Sequence, residues 1–165
     1  FLSERECLSE DLIWDIDFFS KMNCVVYVPE CHYAYRMNPS SLSHHFSWKK
    51  YRRQDTFFNA IKERLDALYS QKEYSIHLLR LKFLYMRNYI SEAFSINEGL
   101  GKRRKLVRTM LQDDIWHDLF TEYPYSRLPK AKRIYFFLAK HQMIFFLFII
   151  SKMMKYREKL KTQKQ

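Results

Sequence analysis

The chain has 165 residues, a net charge of +11 and only two glycines, Gly99 and Gly101. This length is enough for one ordinary domain with a buried core, and an aromatic content of 18% argues against disorder over most of the chain. A nucleotide-binding βαβ unit normally needs glycine in its first turn, and neither a G-x-G-x-x-G motif nor a P-loop occurs. The composition therefore excludes nucleotide binding of that kind by this chain alone.

Positive charge is concentrated at the C-terminal end. Residues 127–165 contain eleven Lys or Arg side chains and one acidic residue, Glu158, whereas the preceding part is nearly neutral. A segment with one sign of charge attracts partners of the opposite sign. We therefore expect an anionic partner to bind the C-terminal segment.

The three cysteines are Cys7, Cys24 and Cys31. Because the number is odd and no C-x-x-C spacing occurs, we expect free thiols in a reducing compartment. Zinc binding by Cys24, Cys31 and His32 is the alternative, but it lacks the second ligand pair of an ordinary zinc site.

The first predicted helix follows Ser9. Apolar residues recur with helical spacing from Leu12 onward, which predicts Ser9 as the N-cap, with Glu10 and Asp11 in the first turn. Carboxylates at a helix start are favoured by the unpaired N–H groups and the helix dipole, by about 0.3–1 kcal/mol. Two hypotheses follow: the carboxylates only stabilise the helix, or one of them serves as a general base at the mouth of a site.

Two short strands are predicted next. Residues 24–29, C-V-V-Y-V-P, are β-branched, apolar and ended by proline, and residues 32–37, H-Y-A-Y-R-M, alternate aromatic side chains. Residues 38–43 have the composition of a turn or loop. These elements predict an α+β fold that is mostly α.

The rest of the chain is predicted to be helical. Apolar residues at helical spacing indicate helices over about 43–70 and 76–96, a break at 97–101 that holds both glycines, and shorter helices near 106–111 and 113–120. A loop precedes a last helix over 131–161. The expected domain organisation is residues 1–45, a helical region 46–128, and a basic apolar helix within 129–165.

The last predicted helix combines apolar and basic residues. Its apolar runs, 134–139 and 143–150, are separated by K-H-Q, so no run is long enough to span a membrane. On a helical wheel a polar set falls toward one side: Arg133, Lys140, Ser151, Lys155 and Lys159. This pattern predicts an anchor lying in the membrane interface, with a helix packed on the body and a solvated lysine face as the alternative.

Three segments near the N-terminus occur in a recognisable order. Residues 8–14 read L-S-E-D-L-I-W, residues 25–28 read V-V-Y-V, and residues 33–43 read Y-A-Y-R-M-N-P-S-S-L-S. Together they resemble the C-terminal part of the catalytic domain of bacterial family 2 glycosyltransferases, which have the GT-A fold. Ala34 replaces the tyrosine usual at that place. The resemblance covers roughly residues 1–45, and the helical remainder is similar only in style.

The resemblance implies an inverting transfer of a sugar from a nucleotide-sugar donor to a hydroxyl acceptor in cell-surface polysaccharide synthesis. Asp11 matches the catalytic carboxylate of the family, which deprotonates the acceptor hydroxyl. Glu10 is expected to orient the site or to shape acceptor binding. Trp14, one turn after Asp11, is expected to stack on a sugar face, with ordinary core packing as the alternative.

Three residues of the following loop are also implied by the resemblance. Arg36 and Ser41 match positions in a loop that closes over the donor, where an arginine stabilises the leaving diphosphate. A surface ion pair is the alternative role for Arg36. His44, or the adjacent His45, is expected to approach the metal or the diphosphate, with a solvent-facing side chain as the alternative.

The resemblance implies further parts that this sequence does not contain. In the family, the N-terminal half carries the nucleotide-binding unit and a D-x-D metal motif. The D-x-D at Asp15 and Asp17 lies within a predicted helix, after the catalytic-type carboxylate, and is rejected. A divalent metal, Mg or Mn, is implied by the family only, with ligands outside this chain. Because the chain begins at Phe1 and reaches the motif within ten residues, we expect a C-terminal fragment that is inactive alone.

These features predict a cytoplasmic protein, peripheral to the inner face of the cell membrane, with a glycan or lipid-linked acceptor. The alternative is a non-enzymatic, membrane-peripheral helical interaction module, in which Ser9, Glu10 and Asp11 form only a cap. A nucleic-acid binder ranks last, because the basic charge lies beside an apolar run and no recognition motif occurs. No nucleic-acid partner is therefore expected.

Overall fold

The computed structural model describes residues 9–30 and 46–162. All regular secondary structure in these ranges is helical, with short 3-10 turns at Asp114–Trp116 and Tyr125–Arg127. The α-helices are α1 (Glu10–Phe19), α2 (Trp48–Leu68), α3 (Gln71–Ala93), α4 (Leu100–Leu111), α5 (His117–Glu122), α6 (Lys130–Lys140) and α7 (Ile144–Thr162). The predicted α+β fold, with a remnant of a GT-A sheet, is therefore wrong, because no strand or sheet occurs in the part that the structure describes.

The predicted strand at residues 24–29 is absent. This segment has no regular secondary structure, and its apolar side chains are exposed, Tyr27 to 86%. The strand preference of β-branched and aromatic residues expresses packing on a half-buried, pleated surface. The described residues offer this segment no strand to pair with. The second predicted strand, residues 32–37, lies outside them.

The chain divides into two compact units, Phe1–Ser75 and Ile76–Gln165. The division falls inside α3, so the first unit contains α1, α2 and the first residues of α3. The second unit contains the rest of α3 and all later helices. The three-part organisation expected from the sequence stays a prediction.

In the first unit, α1 packs against α2. Arg64 of α2 donates its Nε–H to both carboxylate oxygens of Asp17 on α1, at 2.9 Å each. The helix α2 begins where the Ser47 hydroxyl accepts a hydrogen bond from the backbone N–H of Lys50 at 3.1 Å. The large apolar side chains buried in this unit are Ile13, Tyr51, Phe57, Phe58, Ile61 and Tyr74.

The second unit has an aromatic core centred on Phe136 of α6, which is 1% exposed. Its ring lies 5.5–6.0 Å, centroid to centroid, from four others: Phe83, Phe120, Tyr123 and Tyr125. Such offset and edge-on ring pairs add to the stabilisation that apolar burial provides. This cluster joins α3, α5, α6 and the turn before α6 in one core.

The basic apolar C-terminal segment forms two helices rather than the single predicted helix. The N–H of Gln142 donates to the carbonyl of Ala139 at 3.0 Å, and the N–H of Met143 donates to the carbonyl of Leu138 at 2.8 Å. Together with a left-handed backbone at Gln142 (φ 51°), these bonds form the Schellman motif that ends a helix. The chain therefore reverses after α6, and α7 packs back against it.

Candidate functional site

The start of α1 carries the predicted catalytic residue. Ser9 occupies the predicted N-cap position, but its backbone is left-handed (φ 64°) and its side chain accepts no capping hydrogen bond. The N–H of Leu12 instead donates to the Ser9 carbonyl at 3.1 Å and to Oδ1 of Asp11 at 2.9 Å. Asp11 therefore provides the side-chain acceptor that the sequence assigned to Ser9.

The Asp11 side chain is exposed to solvent. Within the described part of the chain, its carboxylate makes no hydrogen bond other than the one from Leu12. One oxygen is thus fixed by the helix start, while the side chain stays accessible to a ligand. Glu10 begins α1, but the placement of its side chain lies outside the described part.

Trp14 follows Asp11 by one helical turn, so the two side chains project from the same side of α1. The indole is 49% exposed and stacks on the ring of Phe18, with centroids 4.7 Å apart and planes 14° apart. Two stacked aromatic rings therefore lie beside an exposed carboxylate. This geometry makes Trp14 available for stacking.

The other predicted site residues, Arg36, Ser41 and His44, lie outside the described residues. Their predicted roles in binding the donor and the diphosphate stay predictions.

The acidic side chains of α1 that the structure describes are those of Asp11, Asp15 and Asp17. At the D-x-D spelling of Asp15 and Asp17, both oxygens of Asp17 accept hydrogen bonds from Arg64. Among the described residues, no group of three or more His, Cys, Asp or Glu side chains could hold a metal ion. Cys24 is an exposed free thiol, while its partners in the alternative zinc site, Cys31 and His32, lie outside the described ranges.

The predicted polar side of the C-terminal helix is divided between two helices, α6 and α7, and the side chains of Lys155 and Lys159 lie outside the described part of the structure. Arg133 donates to the Ser126 carbonyl at 2.5 Å, Lys140 donates to the Phe120 carbonyl at 2.7 Å, and Ser151 is buried. The single-helix wheel fails because the chain reverses between α6 and α7. Arg133 and Lys140 are exposed on α6 and donate these hydrogen bonds to carbonyl groups of segments that precede α6.

Apolar side chains nevertheless reach the surface of both C-terminal helices. The exposed ones are Ile134, Phe137, Met143, Phe145, Phe146, Ile149, Met153 and Tyr156. None of the helices in residues 9–30 and 46–162 combines the length and the apolar character needed to cross a membrane.

A set of basic residues on α3 was missed by the sequence analysis. His77, Arg80 and Arg87 line surface hollows together with Lys132 of α6. Their spacing on α3, three and then seven residues, places them on one side of the helix and is the sequence signal that could have found them.

Comparison with protein families, with curated proteins and with solved structures found no match to this chain.

Proposed function

We propose that this chain is the C-terminal portion of an inverting glycosyltransferase, similar to family 2, with Asp11 as the general base. The observation that carries the proposal is the exposed carboxylate of Asp11 in the first turn of α1, one turn before the exposed indole of Trp14. The order of the motifs in residues 8–43 supports the same assignment.

The reaction needs a base held in a defined position. A sugar hydroxyl is a poor nucleophile until a positioned carboxylate removes its proton during attack. The acceptor oxygen forms a bond to the anomeric carbon as the bond to the nucleoside diphosphate breaks on the opposite face. The proton passes to Asp11, the diphosphate leaves with the bonding electrons, and the anomeric configuration inverts.

The stacked rings of Trp14 and Phe18 would position the acceptor. The exposed indole offers an apolar face to the C–H groups of a sugar ring while Asp11 reaches its hydroxyl groups. The ion pair between Arg64 and Asp17 joins α2 to α1, the helix that carries Asp11. No step is assigned here to a metal ion, because the described side chains do not fit one.

The experiment is sugar transfer by the complete gene product, measured as the release of nucleoside diphosphate from a panel of nucleotide sugars with a membrane extract as the acceptor. We expect Asp11→Asn to lower the rate by about 10²–10⁴-fold, because general-base catalysis contributes a factor of this size. Asp15→Asn is the matched control, since it makes the same charge change one turn later on α1. We expect it to keep the rate within about threefold, a change worth less than about 1 kcal/mol.

Circular dichroism and urea unfolding of both variants establish that the fold is intact. Equal rates for Asp11→Asn and the unchanged protein would overturn the role of Asp11 as base. Failure of the unchanged protein to turn over any donor would overturn the enzymatic proposal itself.

A second candidate function is a non-enzymatic module that lies on a membrane surface. The observation that favours it is the exposed apolar set on α6 and α7, which includes adjacent Phe145 and Phe146 and neighbours a basic segment. Aromatic side chains insert at the boundary of headgroups and acyl chains, while basic side chains attract anionic lipid.

Co-sedimentation with vesicles tests this second candidate. We expect binding to vesicles that contain phosphatidylglycerol, weaker binding at high salt, and weaker binding by the Phe145→Ser, Phe146→Ser double variant. Phe18→Ser on α1 is the control, because it removes an exposed aromatic residue outside the C-terminal helices. Binding that is unchanged in the double variant would exclude this surface as the anchor.

A further inference from the structure

Two hollows on the surface of the second unit share Arg87 of α3 and Lys132 of α6. Their volumes are about 290 and 380 Å³, at the lower end of the range of roughly 300–1,000 Å³ for small-molecule pockets. The first is also lined by His77 and Arg80, and the second by side chains of α6 and α7. We call the pair of hollows the Arg87 groove.

The charged side chains of the Arg87 groove are all basic. Besides His77, they are Arg80, Arg87 and Lys132, and no acidic side chain lines either hollow in the described part of the chain. None of these three cations forms an ion pair with a carboxylate among the described residues. Uncompensated cations converging on a concave surface favour an anionic ligand.

Arg87 is held in place without a carboxylate. Its guanidinium lies over the rings of Phe83 and Tyr135, at 5.8 and 5.6 Å from their centroids, and one Nη lies 3.9 Å from the sulfur of Met154. Stacking on two rings fixes the plane of the guanidinium and leaves most of its N–H donors for a ligand. A planar fork of this kind suits a phosphate group.

Tyr135 supplies a second, independent observation. Its side chain lines the groove and is 3% exposed, yet its hydroxyl has no hydrogen-bond partner among the described residues. The Ser151 hydroxyl lies close, but the two groups do not meet in a hydrogen bond of ordinary geometry. A buried hydroxyl without a partner is unfavourable, so each such group calls for an explanation such as an unfilled polar contact.

The remaining wall of the groove is aliphatic. Ile134 of α6 and Ile150, Met153 and Met154 of α7 line the larger hollow. Flexible Met side chains adapt to ligands of varied shape, and aliphatic walls suit an alkyl chain better than an aromatic base. The groove thus has a cationic part beside a long apolar part.

From these features we infer that the Arg87 groove binds an anionic lipid, with its phosphate at Arg87 and Lys132 and an alkyl chain along Ile134, Ile150 and Met153. This inference does not rest on sugar transfer, since no residue of α1 takes part. It also differs from adhesion to a membrane surface, because it assigns one phosphate to one groove and needs no bilayer.

The test uses dodecyl phosphate below its micellar concentration as the probe, with inorganic phosphate and dodecyl maltoside as partial probes. Binding is followed by calorimetry and by NMR of [methyl-¹³C]Met protein, in which the signals of Met153 and Met154 report the alkyl chain. We expect dodecyl phosphate to bind and to shift both signals, and each partial probe to bind at least about tenfold more weakly. The maltoside lacks the anionic charge that pairs with Arg87 and Lys132, and inorganic phosphate lacks the alkyl chain.

Arg87→Gln is expected to weaken binding of dodecyl phosphate by about tenfold or more, because it removes a charge that pairs with the phosphate. Arg104→Gln is the matched control, because Arg104 also stacks on a ring, that of Phe145 at 5.5 Å, but does not line the groove. Lys132→Gln, at an exposed position, serves as a second variant that does not disturb ring stacking.

Four outcomes would overturn the inference. Dodecyl phosphate that does not bind, or that binds equally to the Arg87→Gln, Lys132→Gln and unchanged proteins, would remove the groove as its site. Inorganic phosphate that binds as tightly as dodecyl phosphate would show that the groove takes a free anion and not a lipid. Dodecyl maltoside that binds as tightly would show that the cations contribute nothing.

Discussion

Arg64 on α2 and Asp17 on α1 form an ion pair in which one guanidinium N–H is shared between both carboxylate oxygens, each 2.9 Å from Nε. The same guanidinium donates from Nη1 to the carbonyl of Ala60 at 3.1 Å, so its direction is set by its own helix. The pair thereby links α2 to α1, the helix whose first turn carries Asp11.

Replacing Arg64 tests this relationship. The side chains are 27% and 49% exposed, and partly exposed pairs contribute about 0.2–1 kcal/mol, so Arg64→Ala should lower the free energy of unfolding by no more than this. Hydrogen exchange in α1 should rise more than exchange in α7. Lys62→Ala is the control, since Lys62 is exposed on α2 and has no partner among the described residues. Unchanged exchange in α1 would show that the pair does not hold this helix.

The hydrogen bonds between Ser70 and Glu73 at the start of α3 should make the free energy of unfolding depend on pH. The hydroxyl and the N–H of Ser70 donate to Oε2 of Glu73 at 2.6 and 2.8 Å, and these bonds hold the pKa of Glu73 below its ordinary 4.5. Because the folded pKa is the lower one, the stabilisation is complete above pH 4.5 and is lost as the pH falls through the folded value. Ser70→Ala should therefore lower the urea midpoint at pH 7, and the difference should shrink in acid.

Ser75→Ala is the control for this pH series. Ser75 lies within the same helix without a partner among the described residues, and alanine has the higher helix propensity. Ser75→Ala should raise the urea midpoint slightly, whereas Ser70→Ala lowers it, and the change should be the same at every pH. A Ser70→Ala difference that persists at the lowest pH would contradict the role of the Glu73 carboxylate.

The adjacent residues Phe136 and Phe137 should differ strongly in how much their replacement by alanine lowers the free energy of unfolding. Phe136→Ala should cost about 3–5 kcal/mol, because it empties the centre of the aromatic core of the second unit. Phe137 is 48% exposed, and Phe137→Ala should change stability by no more than about 0.5 kcal/mol. Chemical denaturation of both variants measures the difference, and similar losses would place the core elsewhere.

Replacing Gln142, in the turn between α6 and α7, by glycine should stabilise the protein. Gln142 has φ 51°, a left-handed backbone that costs a residue with a Cβ about 1–2 kcal/mol. Gln142→Gly should raise the free energy of unfolding by about 0.5–1 kcal/mol, after allowance for the greater flexibility of glycine in the unfolded chain. Gln142→Ala removes the same hydrogen bond from Gln112 without relieving the backbone, and it should not stabilise. A higher free energy of unfolding in both variants would contradict the explanation that glycine relieves the left-handed backbone.

The candidate site could be predicted from the sequence only in part. An acidic pair following a serine placed Asp11 in the first turn of α1, where the structure has it. The side chain that accepts from the N–H of Leu12 is that of Asp11 and not that of Ser9, whose backbone is left-handed, and the sequence pattern does not encode this conformation. The sequence also could not predict that Trp14 is exposed, because an aromatic residue at this spacing suits a buried core as well as a surface.

Helices were predictable because helical periodicity is local. The apolar spacing that predicted helices over about 43–70 and 76–96 depends on residues three and four positions apart, and α2 and α3 occupy those parts of the chain. By contrast, a strand needs hydrogen bonds from a distant segment. The residues at 24–29 have the composition of a strand and remain irregular, since the described chain supplies them no partner.

The amino-acid sequence by itself determined the helical segments, the concentration of basic charge near the C-terminus and the place of Asp11, because each depends on neighbouring residues. Tertiary structure alone decided which cations form an ion pair with a carboxylate and which line the Arg87 groove. Arg64 meets Asp17 from 47 residues away, and Arg87 reaches Met154 from 67 residues away. Such pairings arise from how helices pack, and no local pattern contains them.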